Sequence, residues 1–318
     1  MNVRRAVSNQ IGIFNMLKSA KNGNRLSHAY LFYGEEGTGK KEMAYALACL
    51  LYCEHGGCLE CDVCKTILEG NHMNVDYIGI QDKKTMISKE QITDLQDEFS
   101  KTSLVDGVRV YIVDGIDTAS SAAQNSLLKF IEEPINQTPT VGIFLAKELS
   151  NVVNTIQSRC ILEHFKSIPK EAEIEFLMSS GIEELDAILA SILTNNPEEA
   201  SLLTKTEDFI AVKELFLEFL KLKNEKQAVM FYAKYVNVFQ DSNRIQILLS
   251  FVLAFLEDSL FHLENPLLRP LKGLIDEYSS KNKEKIAPKM EMVLSLLGDL
   301  KYNVLPKNVF HTLLIKFI

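Results

Sequence analysis

Apolar residues in the first half of the chain fall into short runs, at 30–33, 75–80, 110–113, 141–146 and 161–165. Runs of this length suit strands buried on both faces of a parallel sheet. Helical spacing lies between them. Ser88 and Gln91 form a capping box, and Ile92, Leu95 and Phe99 follow on one helical face. Ala123, Leu127 and Ile131 recur every fourth residue in a helix predicted over 119–133, which Pro134 stops. Strands alternating with helices predict an α/β layer fold. Beyond Phe165 the period-two runs cease. Helices are predicted over 171–179, 182–193, 209–222, 226–239, 244–263, 267–278, 285–300 and 307–318. Asn195, Asn196 and Pro197 read as a turn.

The chain has 318 residues, 47% hydrophobic and 24% charged. That is enough for two domains or three small ones, each with a core. The apolar fraction excludes general disorder. Thirty-four basic against 42 acidic side chains leave a net charge of −8, which argues against a nucleic-acid binder that works by bulk charge. No apolar run has the length of a signal peptide or membrane span, so a cytoplasmic protein without membrane contact is expected. Six cysteines in a reducing compartment then point to metal or inert thiols.

The first strand runs into Gly34-Glu35-Glu36-Gly37-Thr38-Gly39-Lys40-Lys41, a G-x-x-x-x-G-K pattern between strand and helix. In such a loop backbone N–H groups wrap phosphates, and the lysine meets the outer ones. Met43, Leu47, Leu50 and Leu51 give the next helix its apolar face. Position 41 should carry a hydroxyl that ligates Mg²⁺. An ammonium has no lone pair for that task. Asp114 ends an apolar strand where Mg²⁺ is ordinarily held. Gly115 follows it in place of a catalytic glutamate, with Asp117 two residues on. Turnover of ATP is therefore not expected, and binding without turnover stays open. The alternative is an active ATPase using Lys40 and Asp114, with Asp117 as base.

Cys53, Cys58, Cys61 and Cys64 place four thiols within twelve residues. This close spacing suits tetrahedral zinc in a structural site, with an Fe–S cluster as the other thiolate chemistry. Gly56 and Gly57 allow the fold-back. Cys49 competes with Cys53 as first ligand, and His55 is a substitute. A zinc-dependent DNA-binding module is a further alternative. Arg4, Arg5, Lys18, Lys21 and Arg25 would supply its contacts, against a plain reading as a solvated helix face.

The order of phosphate loop, cysteine cluster, Asp114 strand, Asn125-Ser-Leu-Leu-Lys-Phe-Ile-Glu-Glu-Pro134 and Ser158-Arg159-Cys160 resembles the clamp-loader branch of the AAA+ proteins. Asn303-Val-Leu-Pro-Lys307 with Leu313 and Leu314 resembles that family's closing helix. The resemblance implies an AAA+ domain over 1–166 with a zinc-binding insertion at 53–64, a helical lid over 167–208 and a helical collar over 209–318. It implies a hetero-pentamer with gamma or tau and delta subunits that loads a sliding clamp on primed DNA. It also implies an ATPase-defective member whose Arg159, flanked by Ser158 and Cys160, reaches a neighbour's ATP as an arginine finger. Glu198 stands where active relatives commonly carry an arginine. The spacing of Cys53 and Cys58 departs from the family's longer gap, which Cys49 would restore.

Overall fold

The computed structural model describes residues 2–81, 84–132 except 101–106, 139–239, 241–262, 264–300 and 304–317. Two compact units divide the chain, at 1–168 and 169–318.

In the first unit, α1 (Val3–Asn9) and α2 (Ile11–Asn22) lead into β1 (Ala29–Tyr33) and α3 (Lys40–Tyr52). Next come α4 (Asp62–Leu68), β2 (Val75–Ile78), α5 (Lys89–Ser100) and β3 (Arg109–Asp114). After these come α6 (Ser121–Ser126), α7 (Leu128–Glu132), β4 (Thr140–Ala146), α8 (Asn154–Gln157) and β5 (Ile161–His164). The strands form one parallel sheet in the order β2-β3-β4-β1-β5. Tyr30 and Phe32, Val110 and Ile112, and Val141, Ile143 and Leu145 point to the face that α3 covers. Leu31, Tyr111, Val113 and Phe144 point to the other face, against Ile92, Leu95 and Phe99 of α5. Period-two alternation thus builds two cores from strands that are apolar on both faces. Burial of residues 43–50 on every side of α3 follows from its place between sheet and outer helices.

All five expected strands form. The second ends at Ile78 rather than 80, because the Gln91 amide takes the Gly79 carbonyl at 2.8 Å. The capping box closes in both directions. Ser88 Oγ accepts from Gln91 N at 3.2 Å, and Gln91 Oε1 accepts from Ser88 N at 3.1 Å. The helix expected over 119–133 is divided. The backbone tightens at Leu127, whose N–H reaches Gln124 O at 3.1 Å. Buried Gln124 is tied there, donating to Ala119 and Asn151 carbonyls and accepting from Val153 N. Glu133 and Pro134 lie outside the described residues.

The second unit contains α9 (Lys170–Ser179), α10 (Glu184–Leu193), α11 (Pro197–Leu203), α12 (Glu207–Phe219) and α13 (Glu225–Tyr235). It continues with α14 (Ser242–Phe261), α15 (Lys272–Asn282), α16 (Ile286–Asp299) and α17 (Pro306–Phe317). One apolar cluster runs from Ile174 on α9 to Phe317 on α17. The turn expected at 195–197 opens α11 instead. Asn196 Oδ1 accepts the N–H groups of Glu198 and Glu199, and Pro197 occupies the first turn. Asn303 and Ile318 lie outside the described residues. Among the described residues no helix is long and apolar enough to cross a membrane.

Candidate functional site: a closed phosphate loop and a thiol cluster

The phosphate loop leaves the carboxyl end of β1, where the strand order reverses between β4 and β5. Gly37 (φ 75°) and Gly39 (φ 88°) adopt left-handed conformations, and Gly39 caps α3. A Cβ at Gly39 would lie 2.8 Å from the Ala6 methyl, so α1 packs directly on the loop. Gln10 fastens it, donating to Thr38 O at 3.3 Å and Lys166 O at 2.8 Å. Buried Thr38 donates its hydroxyl to Glu35 O at 2.8 Å. Lys40 Nζ donates to Gly34 O and Glu35 O, each at 2.6 Å. The loop's own carbonyls therefore hold the ammonium that would meet phosphate. Burial lowers the Lys40 pKa, while the carboxylates of Asp114, Glu36, Asp117 and Glu35 oppose that shift.

The next lysine is engaged too. Lys41 Nζ donates to Tyr77 Oη at 2.8 Å, and Tyr77 Oη donates to Asp114 Oδ2 at 2.8 Å. The register explains the meeting. Tyr77 pairs with Ile112, and Asp114 lies two residues beyond Ile112, so both side chains project on the α3 face. The Lys41 ammonium also sits 4.0 Å from the Tyr77 ring centroid. Burial and the nearby Asp114 carboxylate push the Tyr77 phenol well above its ordinary range, so it stays protonated and can donate.

Asp117 is engaged by the backbone of the loop after β4. Its Oδ2 accepts the N–H groups of Lys147 and Glu148, at 3.0 and 2.9 Å. Gly115 has φ 92° and its N–H bonds Leu145 O at 2.9 Å, so the strand ends in a left-handed turn. A glutamate at 115 would carry a strain of roughly 1–2 kcal/mol.

Cys53, Cys58, Cys61 and Cys64 converge where α3 ends and α4 begins, with all four Sγ atoms within 4.8 Å of one another. Cys53 Sγ lies 3.6 Å from Cys58 Sγ and 3.7 Å from Cys61 Sγ. Tetrahedral thiolates about 2.3 Å from zinc would stand about 3.8 Å apart, so the set fits that group. Backbone N–H groups of Cys58 and Cys61 reach the sulfurs of Cys53 and Cys58 at 3.5 and 3.4 Å. Gly56 (φ 70°), Gly57 (φ 77°) and Leu59 (φ 62°) form the fold-back. The four cysteines could hold a metal ion. Burial raises the Cys53 thiol, but N–H donors from Cys58, Gly57 and His55 outweigh it and bring the group to about 6. Cys49 lies inside α3, donates weakly to Cys64 O at 3.9 Å and is pushed up to about 11 by burial. It belongs to the core rather than the converging set.

Arg159 follows α8 with a half-exposed side chain. It pairs with Glu132 and donates to Thr155 O at 2.9 Å and Ser158 Oγ at 3.4 Å. Cys160 is pushed up to about 12 by burial. Glu198 lies in the first turn of α11, where a carboxylate suits the helix dipole. Among the N-terminal basic residues, Arg4 pairs with Glu60 of the cysteine insertion.

Tyr77 and Gln10 are site residues that local sequence patterns do not single out. Their partners lie 28 to 156 positions away. The alternation of Val75 and Tyr77 was the available signal.

An all-parallel sheet with a strand–loop–helix phosphate cradle at its switch point defines a P-loop α/β protein, here with a thiol cluster inserted after the loop helix. Residues 9–169 match the sequence profile of the family described as "DNA polymerase III, delta subunit", and the chain belongs to that family. It is 33% identical over 223 residues to DNA polymerase III subunit delta' of Bacillus subtilis, covering 69% of this chain and 67% of the relative. It is 29% identical over 171 residues to subunit delta' of Pseudomonas aeruginosa, covering 52% of each. Against subunit tau of Bacillus subtilis it is 34% identical over 170 residues, covering 52% of this chain and 29% of that protein.

Proposed function

We propose that the chain serves as the non-hydrolysing, delta-prime-type subunit of a cytoplasmic DNA polymerase III clamp loader. One observation carries the non-hydrolysing part: the position that should ligate Mg²⁺ is a lysine, and its ammonium is tied through Tyr77 to the strand-end carboxylate Asp114. Gly115 brings no side chain to the position of the usual catalytic glutamate, and Asp117 is engaged by the N–H groups of Lys147 and Glu148. Degenerate nucleotide residues in this reading are Gly34, Gly37, Thr38, Gly39, Lys40, Lys41 and Asp114.

The chain assembles with gamma or tau and delta subunits in a hetero-pentamer that places the sliding clamp on primed DNA. Helices in 167–208 act as lid and those in 209–318 as collar. Arg159, held between Ser158 and Cys160, supplies a guanidinium to phosphate bound by a neighbour. Zn²⁺ held by Cys53, Cys58, Cys61 and Cys64 cross-links the insertion; four protein ligands leave no open position for chemistry.

Turnover of Mg²⁺-ATP by the purified chain is the test. The expected result is none above background. Clear turnover abolished by Lys40→Ala would overturn the reading in favour of a gamma- or tau-like motor.

A further inference from the structure

We propose that the Lys41 ammonium is a tethered substitute for the divalent cation of the phosphate-loop site, and that it keeps Mg²⁺ out. The inference rests on the degenerate-site reading and adds what fills the metal's place. Lys41 heads α3, and its ammonium bonds the Tyr77 hydroxyl, which in turn bonds Asp114 Oδ2, both at 2.8 Å. A divalent ion held by Asp114 would need that carboxylate oxygen and an uncharged oxygen donor from position 41. One is committed to the Tyr77 hydroxyl, and the other is replaced by a positive charge that repels the ion.

The phenol is what lets one lysine serve. It spans the gap between ammonium and carboxylate while accepting from one and donating to the other. The geometry is provided for in the backbone. A Cβ at residue 79 would lie 2.6 Å from Tyr77 Oη, so only glycine leaves room for the ring in this pose. The Tyr45 ring also packs against Tyr77, with centroids 6.3 Å apart and an interplanar angle of 30°. A nucleoside polyphosphate that displaced Lys40 from the Gly34 and Glu35 carbonyls would therefore be taken metal-free, with Lys40 and Lys41 as its cations.

The test uses the full chain with a fluorescent ADP analogue, titrated in Mg²⁺ and in EDTA. For the wild type, affinities equal within about twofold in the two media are expected, in agreement with an excluded metal; if it binds in neither, the Lys41→Thr comparison decides. Binding tightened by about tenfold or more in Mg²⁺ would overturn the inference. Lys41→Thr, which restores a ligating hydroxyl and removes the positive charge beside Asp114 and Tyr77, is expected to acquire that tenfold dependence. A folded Lys41→Thr protein without it shows that Lys41 does not keep the metal out. Lys41→Ser, which also supplies a ligating hydroxyl and removes the charge, takes its place if the threonine variant fails to fold, with the same two outcomes. ATP turnover by the wild type would sink the non-hydrolysing reading and this inference together. Mg²⁺-tightened binding without turnover sinks this inference alone.

Discussion

At the scale of single residues, the cysteines make the clearest contrast. The spacing of Cys49 and Cys53 leaves the first ligand open, because both fit the end of one helix. Sulfur geometry separates them: Cys53 follows the last turn of α3 and faces Cys58 and Cys61, whereas Cys49 lies a turn earlier with its thiol on the Cys64 carbonyl, outside the four converging sulfurs. Elemental analysis of the wild type is expected to find one metal ion per chain; Cys58→Ser and Cys64→Ser should each abolish it, and Cys49→Ser should retain it. Metal lost with Cys49→Ser would return that residue to the ligand set. Gly79→Ala tests a different kind of fit. The atom it would strike is the far end of a flexible side chain, so the ring moves and the fold survives. Burial first, then Asp114, holds the Tyr77 phenol high, so displacing the ring lowers its pKa toward about 10. A ¹³C titration of the Tyr77 ring should record that fall; an unmoved midpoint would mean that the ring keeps its place.

At the scale of elements, the strands were legible because burial on both faces selects short apolar runs, and parallel pairing needs nothing else of them. The ends were less legible. Leu127 divides one helix because buried Gln124 is bound by the loop after β4, a long-range fact absent from any window around it. At α11 the Asn-Asn-Pro signal for a turn is also a signal for a helix start, and the helix-forming run Glu198-Glu199-Ala200 decides between them. The Lys41–Tyr77–Asp114 chain is in the same class as the Gln124 contacts, since only the β2–β3 register brings its members to one face. A further element-scale contact joins the starts of α12 and α14. Arg244 Nε donates to Asp208 Oδ1 at 2.6 Å and Asn243 Nδ2 to Oδ2 at 3.2 Å. The Arg244 bond holds the Asp208 carboxyl below the usual range. A depressed pKa stabilises the fold above the unfolded-state value near 3.9 and loses that stabilisation as pH falls through the folded value. The stability difference between wild type and Asp208→Asn in urea melts should therefore be steady near neutrality and shrink below about pH 4. A difference that persists unchanged to about pH 2 would assign it to packing.

At the scale of the whole molecule, the proposed non-hydrolysing role makes the half-exposed cation Arg159 the group to follow, since the loop's own carbonyls hold Lys40. That guanidinium is held at the surface by Glu132 and by the Thr155 carbonyl. A surface ion pair contributes only about 0–1 kcal/mol, so trading Glu132 for a more highly charged phosphate costs little. The contacts to Glu132 and the Thr155 carbonyl also restrict the side chain in the isolated chain, so in the proposed finger role less freedom remains to be lost. Arg159→Ala should accordingly shift the stability of the isolated chain by no more than about 0.5 kcal/mol. In a complex reconstituted with the ATP-hydrolysing subunits, the same change should slow hydrolysis by roughly tenfold or more. Arg159→Lys should rescue little, since an ammonium lacks the planar fork that grips two phosphate oxygens at once. Glu132→Gln, which loosens the tether without removing the guanidinium, should leave most of the rate. Full hydrolysis by a correctly assembled Arg159→Ala complex would reduce Arg159 to the surface ion pair it makes in the isolated chain.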